Sequence, residues 1–135
     1  MNIFRFDANV GQPIDNFGSE NFILSRIARL TTEARVSCFH LGPKGKVGYH
    51  QAVIPQLLLV MQGAGWVRNE TSGQVPIKMG CAVFWNKAEW HESSTDTGMT
   101  ALVIESQEIN PAEFMPAKPV AQKWADQAVT GLLDE

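Results

Sequence analysis

The side chains able to do chemistry in this chain are few and widely spaced. His50 is followed by Gln56 six residues on and by Gly63 thirteen residues on, and Gly80 precedes His91 by eleven. Imidazole changes charge near neutral pH and is the commonest side-chain metal ligand, whereas a glutamine amide both donates and accepts hydrogen bonds. His40 has no motif partner and reads as an ordinary hydrogen-bonded residue. Cys38 and Cys81 are too few for a disulfide framework and read as buried apolar residues. No Ser-His-Asp arrangement, phosphate-cradling glycine loop or Cys-x-x-Cys pair occurs.

These residues have to be carried by strands. From Glu20 to Ser106 the chain is a series of short apolar runs punctuated by Gly, Pro, Asn or Ser, the pattern of an all-β sandwich or barrel. The run from Arg35 to Leu41 ends at Gly42-Pro43 and reads as a strand. Gln56 to Gln62 puts Leu57, Leu59 and Met61 on one side and Leu58 and Val60 on the other, which predicts a core strand buried on both faces. Trp66 to Asn69, a Gly73-containing loop and Gln74 to Lys78 form a hairpin, and Pro76 puts its return strand at an edge or bulge. Cys81 to Trp85 and Thr100 to Glu105 read as buried strands. Phe22 to Leu30 fits either periodicity, and strand is preferred.

The carboxyl-terminal part differs in character. Asn110-Pro111-Ala112-Glu113 carries the cap, proline and acid of a helix start, so a short helical turn is expected there. Val120 to Leu133 has a helical apolar stripe interrupted by Gly131, which predicts a helical tail packed on the barrel or on a partner. The expected organisation is one domain: an amino-terminal segment (1–19), a barrel (20–108) and the tail (109–135).

Composition narrows the function classes. The 135 residues carry 11 basic and 14 acidic side chains, a net charge of −3, with 44% hydrophobic residues. A domain of this size buries enough surface to fold without staples. With no basic block, no nucleic-acid partner is expected. The longest apolar run, Leu57 to Met61, is far short of the roughly 20 residues that cross a bilayer, so no membrane association is expected. The first nine residues have neither a basic nor an apolar leader region, which predicts a cytoplasmic chain with reduced cysteines.

The spacing of His50, Gln56 and Gly63, followed by Gly80 and His91, resembles the two motifs of small single-domain cupins of the cupin 2 conserved barrel type. The resemblance covers residues 45 to 95 and departs at several positions. Ala52 stands where that family has a second histidine and Gln56 where it has a carboxylate. In the second motif Asn86 replaces the proline, Ala88 the glycine and Thr95 the final asparagine. It implies a double-stranded β-helix, a jelly-roll barrel with a ligand cavity at one end, to which the short helical tail read from residues 120–133 is added.

The resemblance further implies that His50, Gln56 and His91 form the polar floor of the cavity. There they would either hold a divalent transition metal (Zn, Fe, Ni, Mn or Cu) weakly or, metal-free, bind a small anionic or polyhydroxy ligand. Glu89 and Glu92 flank His91 and could supply the missing charge, but strand parity turns immediate neighbours away from a cavity. Trp85 shares a strand face with Val83 and Cys81 and is the expected aromatic wall. Trp66, Trp90 and Trp124 read as core or interface residues.

Three functions remain open from these residues. One is a small-molecule-binding barrel. Another is a metal-dependent dioxygenase, isomerase or lyase using the position that Ala52 leaves open, and the last is a sensor module acting through another protein. The resemblance also implies a homodimer, for whose interface the amino-terminal strands and the amphipathic tail supply material.

Overall fold

The computed structural model describes residues 1–119. Eleven strands form in chain order: β1 (Asn2–Arg5), β2 (Gln12–Pro13), β3 (Ile23–Leu24), β4 (Ala34–Leu41), β5 (Lys46–Gln51), β6 (Gln56–Asn69), β7 (Val75–Lys78), β8 (Cys81–Trp85), β9 (Trp90–Ser94), β10 (Met99–Ser106) and β11 (Ala117–Lys118). The larger sheet runs β11-β1-β8-β6-β10-β4, all antiparallel. A second layer runs β7-β6-β9-β5. Strand β6 belongs to both, its first half lying between β8 and β10 and its second between β7 and β9. The barrel is built around this one 14-residue strand.

The apolar run of β6 is buried on both faces, as its pattern predicts. Leu58 and Val60 face inward against Val67, Ile77, Val83, Trp85 and Ala101. Leu57 and Leu59 face outward against Phe4, Ala82, Phe84 and Met115. Covering such side chains stabilises the fold by about 1.5–3 kcal/mol each. The outer cover comes from the amino-terminal segment and from Ile27, Ile109 and Met115. Met61 departs from the expected parity and is 45% exposed, because β6 passes from one sheet to the other just beyond it.

Several elements differ from the sequence reading. β1 lies inside the larger sheet, between β8 and β11, so the amino-terminal segment supplies a barrel strand. Of Phe22 to Leu30 only Ile23–Leu24 is strand. Asn110 organises a turn rather than a helix, its Oδ1 accepting from the Ala112 N–H and its carbonyl from the Glu113 N–H. The helix expected over 120–133, including Trp124, lies outside the described residues.

The reading of Cys38 as buried is corrected. Cys38 is exposed while Cys81 is buried. β4 pairs only with β10 among the described residues, and its outward face, Val36, Cys38 and His40, has no cover; Val36 is 62% exposed. Pro76 behaves as predicted, since among the described residues its strand β7 pairs only with β6. No helix of the described residues is long and apolar enough to cross a membrane.

Candidate functional site

Strand β9 lies between β5 and the second half of β6, and the register sets Asn69, His91 and His50 opposite one another in a row across three strands. Side chains alternate along a strand, so His91 and Ser93 are buried inward while Trp90 and Glu92 turn out. The His50 and His91 rings lie 4.4 Å apart, centroid to centroid, tilted by 55°. Trp85, at the end of β8, stacks on His91 at 4.0 Å and 21°. The structure therefore brings together three of the four expected site residues, from three strands.

The hydrogen bonds fix the tautomers. His50 Nδ1 is 2.7 Å from the Gly48 carbonyl and His91 Nδ1 is 3.1 Å from the Glu89 carbonyl. A carbonyl oxygen only accepts, so each neutral ring carries its proton on Nδ1 and presents a lone pair at Nε2. Neither Nε2 has a protein partner among the described residues.

Burial holds the His91 pKa below its ordinary value, and the neighbouring His50 adds to the shift, while the hydrogen bond to the Glu89 carbonyl opposes it. The sign follows directly. Above an unfolded-state pKa of about 6.5 both states are neutral; below it the unfolded chain takes up the proton first, so stability present at neutral pH is lost as pH falls toward the lower folded value. Urea midpoints should therefore drop between about pH 7.5 and pH 5.5, a window above the carboxylate range. The same scan on His91→Leu should be flatter, and an unchanged acid limb in that variant would assign the effect to other groups.

Gln56 is placed differently from its expected role. It faces inward opposite Trp85, but its Nε2 donates to Glu105 Oε2 at 2.9 Å and it makes no hydrogen bond to either imidazole. The carboxylate can only accept, so the amide Oε1 is the atom left free. Glu105 is opposite both Gln56 and Arg35 in the register. Arg35 approaches it at only 3.9 Å, with its own side chain 78% exposed. Glu105 and Arg35 were missed from the sequence, although the alternation Ala101, Val103, Glu105, with Ala101 inward, was the available signal.

The two glutamates that flank His91 are accounted for by the protein itself. Glu89 accepts from the Met1 ammonium at 2.6 Å, from Asn69 Nδ2 at 2.7 Å and from the Asn86 N–H at 2.9 Å. Burial works to raise its pKa, but these bonds outweigh burial and the net shift is downward. Glu92 points outward to Arg68 at 2.7 Å and Lys46 at 3.7 Å. Ala52 does not leave an open position: it is buried, its N–H donates to the Glu89 carbonyl and its carbonyl accepts from the Ala88 N–H. Trp85 Nε1 is buried without a partner among the described residues.

Two neutral nitrogens are half the ligands of a closed zinc site, and no carboxylate completes them. Among the described residues no group of three or more His, Cys, Asp or Glu could hold an ion. This donor set does not fit a tightly held resident metal. Crevices of about 420 and 720 Å³ lie outside the barrel, walled in part by residues 10–26, and neither is lined by His50 or His91. In the larger one the acidic groups are the exposed Asp15 and Glu20, so volume there is not matched by converging chemistry.

No family model and no curated protein matches the sequence. Solved structures do. A cupin superfamily protein from Desulfitobacterium hafniense DCB-2 superposes with a TM-score of 0.53 at 16% identity, over 67% of this chain and 82% of that one. A cupin-like protein from Thermotoga maritima MSB8 gives 0.53 at 18% identity, over 62% and 65%. An RmlC-like cupin from Shewanella frigidimarina NCIMB 400 gives 0.52 at 17%, over 62% and 71%. At such identities the likeness carries the fold, and function has to be argued from the site.

Proposed function

Since the chain folds as a small cupin barrel, we propose that it is a small-molecule-binding cupin whose ligand is a neutral polyhydroxy compound held between His50 and His91. One observation carries this reading: two adjacent imidazoles are each locked by a backbone carbonyl so that Nε2 is an acceptor without a partner among the described residues. Two nearby hydroxyls are the simplest donors to such a pair. The free atom of Gln56 and both oxygens of Glu105 also accept, while the buried Trp85 Nε1–H is a donor left without a partner among the described residues. An anionic ligand would meet the Glu105 carboxylate, and the depressed His91 pKa disfavours an imidazolium at that ring. Trp85 supplies an apolar wall behind His91. A divalent ion would be held weakly by the same pair.

Calorimetric titration with three panels tests the reading: short polyols and aldoses, the matching sugar acids and dicarboxylates, and short polyamines. Saturable binding is expected from the first panel. Preference for the acids would overturn the polyol reading, and preference for the amines would transfer recognition to Glu105.

A further inference from the structure

We propose that Tyr49, clamped between Trp90 and Arg68 on the outside of the barrel, is the positioning residue that holds the His50 imidazole in register with His91. This rests on the reading of the imidazole pair as the binding site. The support is geometric. Among the described residues β5 pairs only with β9, and its register shifts between Val47 and His50, immediately before the histidine it must deliver. Among the described residues the only hydrogen bond of the His50 ring goes to the Gly48 carbonyl, within that same irregular stretch. An edge strand with a bulge is where a ladder holds least firmly.

What holds the stretch lies on the opposite face. Tyr49 stacks on Trp90, with ring centroids 5.4 Å apart and planes 29° from parallel. The Arg68 guanidinium lies 4.4 Å from the Tyr49 ring centroid. Arg68 is itself fixed by Glu92 at 2.7 Å, and Glu92 is opposite Arg68 in the β6–β9 register. The inner row Asn69–His91–His50 is thus backed by an outer cluster of Arg68, Glu92, Trp90 and Tyr49. Each outer residue is a direct chain neighbour of an inner one, and neighbouring side chains leave a strand on opposite faces. A shift of Tyr49 therefore moves the Gly48–His50 peptides and rotates the imidazole. Tyr49 and Trp90 are 41% and 39% exposed, so neither ring is needed to fill the core.

The test compares wild type with Tyr49→Ala, Tyr49→Phe and Trp90→Leu by two readouts. The first is the pair of His50 ring nitrogen shifts in the free protein, which report whether the proton stays on Nδ1. The second is the affinity for Zn(II) alone, used as a probe of the spacing between the imidazoles. In Tyr49→Ala and Trp90→Leu the His50 shifts should move toward the tautomer average and Zn(II) affinity should fall about fivefold or more, while Tyr49→Phe, which keeps the stack and the cation contact, should match wild type. Wild-type nitrogen shifts in Tyr49→Ala and Trp90→Leu would overturn the proposal. Equal Zn(II) uptake by wild type and His50→Ala would instead overturn the imidazole-pair reading, and the nitrogen shifts would then decide the clamp by themselves.

Discussion

Gly63→Ala is expected to lower the unfolding free energy by about 3 kcal/mol or more, through a strained backbone combined with a contact that cannot relax. Gly63 has φ of +87°, a region side chains other than glycine rarely adopt. A Cβ placed there would lie 2.3 Å from the Gly98 carbonyl oxygen and 3.0 Å from the Met99 Cα. Both are backbone atoms at the start of β10, so no side-chain rotation relieves the clash. The position is also where β6 crosses from one sheet to the other. Displacing it disturbs both layers, including the Asn69 end that lies opposite His91. Urea unfolding at neutral pH measures the loss, and a decrease below about 1 kcal/mol would show that the crossing tolerates an ordinary residue.

His91→Ala should have the largest effect on binding. It removes one of the two Nε2 acceptors and the ring on which Trp85 stacks, leaving His50 without its inner neighbour. Losing one such hydrogen bond together with its packing costs about 1.5–3 kcal/mol, a drop of roughly tenfold to a hundredfold in affinity for the tightest polyol of the titration panel. Stability should fall as well, by about 2 kcal/mol, since a buried ring is replaced by a methyl group. His40→Ala is the matched control, because His40 is exposed on β4 and among the described residues its ring is hydrogen-bonded only to Cys38. Equal losses in the two variants would remove His91 from the site.

Binding chemistry and stability meet at Gln56. The spacing from His50 singled out the residue, and the fold sets it on the inward face opposite Trp85. It could not reveal that the amide is taken up by Glu105, because that partner comes from β10, 49 residues away in sequence. Glu92 shows the opposite case. Parity alone assigned it to the outer face, where it pairs with Arg68 and Lys46. Glu89, two residues before His91, escaped the parity argument and is held instead by Asn69 and the Met1 ammonium.

The alternation of apolar residues and the glycine and proline punctuation settled, without any coordinates, that this chain is a strand-built barrel with Leu57 to Val60 at its centre, because those signals are local and period-dependent. Motif spacing then singled out His50 and His91. Tertiary structure alone decided that Cys38 is exposed, that β1 is a barrel strand, that Ala52 is packed rather than open, and that an outward aromatic cluster backs the two imidazoles. Each of these depends on which distant strand lies alongside. Pairing between strands is set by the whole sheet's packing, and no window of sequence contains it.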